Sequence, residues 1–170
     1  MAQRYVIATP LPKHCVAKLD QMCIQMTGHP SPVHFHHVTI VSPFTIKNDS
    51  TIDDVTRAIK SIHFDVFMAS FGNVGVFTQH DRKILHMEIE PAKIFEQLHK
   101  RYGSAIAPYV ELDTSPFTSG VIPQYRAHTT IDYNAGNISS ELIHQKFDEK
   151  WTVDSCNIYK EVAQGSWGIV

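Results

Sequence analysis

Two tripeptides of one form, His-x-Thr followed by an apolar residue, occur in this chain: His37-Val38-Thr39-Ile40 and His128-Thr129-Thr130-Ile131. Each opens a β-branched run, and each takes the same place in a repeated order of elements. The first half reads strand, helix, strand opening on His-x-Thr, helix, strand, and the second half repeats that order. Outside the tripeptide the halves share little sequence, so the duplication is one of architecture. The pattern predicts an α+β fold of two pseudo-symmetric lobes, each a mostly antiparallel sheet with two helices. Residues 1–170 are expected to form one bilobal domain, a size that buries a core without disulfides or metals.

Local signals fill in that outline. Arg4 to Thr9 is β-rich and ends at Pro10 and Pro12. Cys15, Leu19, Met22 and Met26 have helical spacing from Lys13 to Thr27, with Gly28 placed as a C-terminal cap. The strand from His37 to Val41 is expected to stop at Ser42-Pro43. Ser50 and Thr51 stand three residues before Asp53 and Asp54, a capping box ahead of Ile52, Val55, Ile59 and Ile62. Phe64 to Phe77 is strand-like but broken at Gly72 and Gly75. A turn at Gln79-His80-Asp81-Arg82 leads into a further strand. Pro91 suits the first turn of a helix bearing Ile94, Leu98 and Tyr102. Ala107 to Ala127 reads as a long loop, either a binding lid or a surface excursion hiding a short strand. Ser139-Ser140 is expected to cap a helix with Ile143, Phe147 and Trp151, followed by the strand-like TVDSCNIY and a closing WGIV.

Alternation along a strand puts residues i and i+2 on one face. Each tripeptide therefore presents an imidazole beside a hydroxyl, while Val38, Ile40, Thr129 and Ile131 turn to the opposite, buried face. If the lobes pack about a pseudo-twofold axis, both pairs meet in a central cleft. Such a set suits phosphodiester cleavage. One histidine takes a proton from water, the other protonates the departing oxygen, and both titrate ordinarily near pH 6.5 or so. The Thr39 and Thr130 hydroxyls would donate to the non-bridging oxygens as charge develops.

These motifs, one per half of a duplicated chain, resemble the two-histidine (2H) phosphoesterase superfamily, which includes 2′-5′ RNA ligase-like proteins and cyclic phosphodiesterases. Pro43-Phe44 after the first motif, Gly75-Val76-Phe77 before a hairpin and Tyr125-Arg126 before the second motif agree with it. Ala127 departs from the proline that many relatives carry there. The resemblance implies a metal-independent hydrolase opening a 2′,3′-cyclic phosphate or a 2′-5′ linkage. Its substrate would be a cyclic nucleotide, an oligonucleotide or an RNA end. It implies catalytic His37, Thr39, His128 and Thr130, with no cofactor. Relatives also include ligases and enzymes that degrade cyclic oligonucleotide signals, and a binding module of the same fold is a further alternative.

Three more residues are candidates for substrate contact. Arg126, two before His128, is expected on its face and could pair with a phosphate. Phe44 could stack on a base or belong to the core. Tyr133 would face away from His128 on a regular strand. Histidine is abundant, 11 of 170 residues. His34 and His36 suggest a metal pair and a metal-dependent hydrolase, but no nearby carboxylate or cysteine completes a site. His86 is expected at a cleft rim or as a third site group, and His14, His63, His99 and His144 as solvated residues.

A net charge of −2 excludes a polycation that holds long nucleic acid by counterion release. Three cysteines without a CxxC pair argue against a disulfide framework and for a reducing compartment. With no apolar run of membrane-spanning length and no leader-like start, a cytoplasmic monomer without membrane contact is expected.

Overall fold

The computed structural model describes residues 2–79, 82–113, 124–136, 138, 143, 147–163 and 166–170. Two antiparallel sheets and three helices make an α+β fold. The first sheet has the order β5 (Val110–Leu112), β2 (His37–Ile46), β1 (Tyr5–Pro10), β8 (Asn157–Ala163), β9 (Ser166–Ile169). The second runs β6 (His128–Asp132), β4 (Arg82–Glu90), β3 (Phe67–Gln79), β7 (Lys150–Val153). One His-x-Thr strand thus lies in each sheet.

Helix α1 (Lys13–Thr27) buries Cys15, Leu19, Met22, Cys23 and Met26, and ends at Gly28. There φ is +84°, a left-handed turn that glycine adopts without strain, and its N–H caps the Ile24 carbonyl at 2.9 Å. Helix α2 (Ile52–Lys60) begins with the expected capping box. The Thr51 hydroxyl accepts from the Asp54 N–H, and the Asp54 carboxylate accepts from the Thr51 N–H at 2.9 Å. Helix α3 (Ala92–Ile106) starts after Pro91 and packs on β2 and β4, while α1 packs on β6. Apolar residues of both sheets, from Ile7 and Ile40 to Leu85 and Ile131, share one buried cluster with the helices.

Several elements differ from the sequence-based expectation. Strand β2 continues through Pro43 to Ile46, because pairing with β1 is irregular there and the proline displaces no ladder bond that a regular strand would need. Gly72 and Gly75 do not break β3. A Cβ at Gly75 would stand 2.7 Å from the His86 ring, so this glycine admits the side chain of the neighbouring strand. TVDSCNIY divides between β7 and β8, which belong to different sheets. Strand β5 lies inside the stretch taken for a loop, and residues 114–123 of that stretch lie outside the described residues. So do His80 and Asp81 of the expected turn, Ser139 and Ser140 of the expected helix cap, and His144. Trp151, assigned to that helix, sits in β7. Among the described residues, no helix is long and apolar enough to cross a membrane.

Candidate functional site

The two His-x-Thr strands carry the same irregularity. In β2, Ala8 pairs with Thr39 but Ile7 pairs with Val41, so Ile40 is an extra residue. In β6, His86 pairs with Thr130 but Leu85 pairs with Asp132, so Ile131 is the extra residue. Each bulge falls three positions after its histidine and frees backbone carbonyls from the ladder. Side chains satisfy them in both strands. The Tyr125 hydroxyl donates to the Thr39 carbonyl at 2.9 Å, and His99 Nδ1 to the Ile40 carbonyl at 2.7 Å. His36 Nδ1 donates to the Thr130 carbonyl at 3.1 Å, and the Ser31 hydroxyl to the Ile131 carbonyl at 2.5 Å. The bracing is reciprocal: the segment leading into each motif supports the strand of the other.

Both histidines are held alike. His37 Nδ1 lies 2.8 Å from the Phe35 carbonyl, and His128 Nδ1 lies 2.8 Å from the Arg126 carbonyl, each two residues back. Donation from Nδ1 selects the tautomer whose Nε2 is an acceptor. The rings also rest on aromatic neighbours. Phe35 stacks on His37 at 4.8 Å between centroids, and Phe77 meets His128 edge-on at 5.1 Å.

His37, Thr39, His128 and Thr130 line one open cavity of about 290 Å³, which makes the convergence of the two motifs a fact of the fold. Burial pushes His37 down to about 4 and lowers His128 as well. The two imidazoles are neutral at pH 7 before any anion arrives.

A family model described as the 2′-5′ RNA ligase superfamily matches residues 13–165. The chain belongs to the 2′-5′ RNA ligase superfamily. Solved structures repeat the fold. Escherichia coli LigT in apo form is 15% identical with a TM-score of 0.69, covering 99% of this chain and 93% of its own. LigT complexed with 3′-AMP is 14% identical with a TM-score of 0.67, at the same coverages of 99% and 93%. TT0787 of Thermus thermophilus is 16% identical with a TM-score of 0.66, covering 92% of this chain and 87% of its own. No curated protein matches the chain significantly.

Around the four superfamily motif residues, the structure corrects three expectations and adds several groups. Phe44 is fully buried against Tyr5 and cannot meet a ligand, because a second irregularity between Val41 and Phe44 returns it to the core and leaves Pro43 on the cavity wall. Tyr133 does line the cavity. The bulge buries Ile131 and Asp132 in succession and so resets the alternation that would have turned it away. Arg126 precedes the strand, is exposed and is not among the cavity-lining residues; its carbonyl orients His128, and its charge bears on His86. The guanidinium on the wall belongs to Arg4, held by Asp113 at 2.8 Å and Glu161 at 3.1 Å.

His86 is buried, neither at a rim nor solvated. It stacks face to face on Phe77, 3.7 Å between centroids, and burial followed by the influence of His128 brings it down to about 4. His34 is exposed while His36 is buried on Thr130, so the pair makes no common metal site. His99 is half-buried on the Ile40 carbonyl instead of solvated. Trp167 and Phe35 complete the aromatic wall. A tryptophan in the closing WGIV was visible in the sequence, but its location was not, since β9 reaches the cavity only through pairing with β8.

Proposed function

We propose that this protein is a phosphodiesterase acting through paired-histidine acid–base catalysis, opening a 2′,3′-cyclic phosphate or cleaving a 2′-5′ linkage on an RNA end or small nucleotide. The observation that carries this reading is the convergence of His37, Thr39, His128 and Thr130 on one cavity, with both Nδ1 atoms tied to carbonyls. The LigT complex with 3′-AMP supports a nucleotide as occupant. A volume of about 290 Å³ suits one nucleotide or a chain end. Tyr133, Trp167 and Phe35 offer faces on which a base can stack. The chain works as one bilobal domain, since residues of both sheets share the same apolar cluster.

The phosphate sits between the two Nε2 atoms. One neutral imidazole takes a proton from water as the water oxygen bonds to phosphorus. The other, as imidazolium, gives its proton to the ribose oxygen as that P–O bond breaks. Threonine hydroxyls donate to the non-bridging oxygens, where charge accumulates. Both imidazoles start neutral, so the anionic phosphate stabilises the required imidazolium, and the reactive protonation state forms on binding. No cofactor enters these steps.

The test incubates a panel of 2′,3′-cyclic and 2′-5′-linked nucleotides with the wild type, His37→Ala, His128→Ala and the double variant, reading products by mass. Each single variant is expected to lose roughly 10²–10⁴-fold in turnover. Wild-type turnover in the double variant would sink the proposal. Nucleotide binding without product would make the protein a binding module.

A further inference from the structure

A second polar cluster lies behind strand β6, where Cys23 of α1, His29 just past the helix and Asp132 at the strand end converge. Their donor atoms, Sγ, a ring nitrogen and a carboxylate oxygen, all lie within 4.8 Å of one another. Cys23 and Asp132 are buried, and His29 faces solvent. The geometry follows from local structure. Gly28 turns the chain off α1 in its left-handed conformation, which swings His29 back beside Cys23, and the bulge at Ile131 turns Asp132 inward.

Asp132 is the informative residue. Its Oδ1 accepts from the Asn134 N–H at 2.8 Å, but its Oδ2 is buried without a hydrogen-bond partner. A buried carboxylate oxygen left this way costs free energy unless a cation or donor reaches it. His29 Nε2 stands 3.4 Å away, while its Nδ1 donates to the Pro30 carbonyl at 2.9 Å. With its proton on Nδ1, neutral His29 points the Nε2 lone pair toward a carboxylate, an arrangement that asks for a positive charge between them. Outer-face donation to a carbonyl is also how ligating histidines are oriented. The Thr27 hydroxyl, close to the sulfur, donates to the Cys23 carbonyl at 2.7 Å, which leaves the sulfur available. Asp20 and Asp132 both add negative potential at that sulfur.

We propose that Cys23, His29 and Asp132 form a binding site for one zinc ion. A set of one sulfur, one nitrogen and one oxygen selects a borderline cation over magnesium or calcium. On binding, the Cys23 thiol releases its proton to solvent, so thiolate and carboxylate together neutralise the divalent charge. Zinc bond lengths of about 2.0–2.3 Å need the donors roughly 1 Å closer than their widest present spacing, a movement the exposed His29 supplies. The fourth coordination position opens on the His29 side, where water can fill it. The ion would pin the end of α1 to the strand that carries His128 and Thr130, without touching the phosphate. This site is independent of the catalytic reading above.

The test titrates the full chain with Co²⁺ as the spectroscopic stand-in. One equivalent should bind, with a near-ultraviolet thiolate-to-cobalt charge-transfer band that Zn²⁺ abolishes by displacement, and the thermal midpoint should rise with added Zn²⁺. His29→Ala, on an exposed turn and expected to fold, should weaken binding at least tenfold, and Cys23→Ala should remove the band while Cys15 and Cys156 remain. Absence of a one-to-one complex, or an undiminished band in His29→Ala, overturns the proposal and leaves a protonated His29–Asp132 ion pair. A complex without the sulfur band also overturns it, as capture by surface histidines.

Discussion

The rings of His86 and His128 meet edge to face, with centroids 5.5 Å apart and planes at 77°. His86 is itself fixed by stacking on Phe77, so the orientation of His128 is set from two sides, by the Arg126 carbonyl and by a buried aromatic layer. His86 then acts as a positioning residue. His86→Ala, which empties the layer, should lower kcat about tenfold with KM little changed, while His86→Leu, which refills it, should recover most of the loss. Equal turnover in the two variants would show that the layer does not hold His128.

Gly75 tests the same layer from the opposite strand. Gly75→Ala places a methyl group 2.7 Å from two atoms of the His86 ring, closer than side chains approach. Overpacking of this kind costs about 1–3 kcal/mol. Urea unfolding should show that loss together with reduced turnover, and unchanged stability would mean that the ring has room to move.

The reciprocal bracing predicts an effect of Tyr125→Phe. The change keeps the ring that stacks on His99 and removes the donor to the Thr39 carbonyl. Stability should fall by about 1 kcal/mol and turnover several-fold, measured by urea unfolding and initial rates on one sample. Retention of both values would show that water replaces the hydroxyl at no cost.

Acid should destabilise the fold through its histidines. His37 and His86 titrate near 4 in the folded protein, and His36 and His128 are also lowered, burial being the first cause in every case. Unfolded histidine titrates near 6.5 or so, so between those values the unfolded chain binds more protons and stability rises with pH. The urea midpoint should therefore fall steadily from about pH 6.5 toward 5, above the range where carboxylates dominate. His86→Leu should flatten that slope.

Trp167 provides a direct report on cavity occupancy. The other tryptophan, Trp151, is buried against Phe71 at 5.5 Å between centroids, away from the cavity wall. In a Trp151→Phe background, titration with a nucleoside monophosphate should quench the remaining fluorescence. Trp167→Leu should weaken binding by roughly 1–3 kcal/mol if the indole stacks on the base. Unaltered affinity would place the base on Tyr133 or Phe35.

The sequence made the periodic features legible. Helices α1 and α2, with their caps, and the four motif side chains on one face all follow from spacing. What escaped it were the bulges. One extra residue at Ile40 and one at Ile131 reverse the facing of everything downstream, which is why Tyr133 reaches the cavity against a simple parity count. A bulge leaves no periodic mark in the chain, and its stabilising partners, Tyr125, His99, His36 and Ser31, come from distant segments. Arg126 was misplaced for a related reason: the strand starts at His128, so the i, i+2 rule does not extend back to it.

The C-terminal strands have a consequence for biosynthesis. Strand β1 is flanked by β2 on one side and by β8 on the other, so the earliest strand to be made has one edge that only residues 157–163 can cover. While the nascent polypeptide is still shorter than that, the sheet bearing His37 ends in unpaired backbone, and the indole wall of the cavity does not yet exist. Maturation of the site is thereby deferred until translation has passed Ile169, and stalled or clipped chains would carry both histidines while lacking the chamber that brings them together.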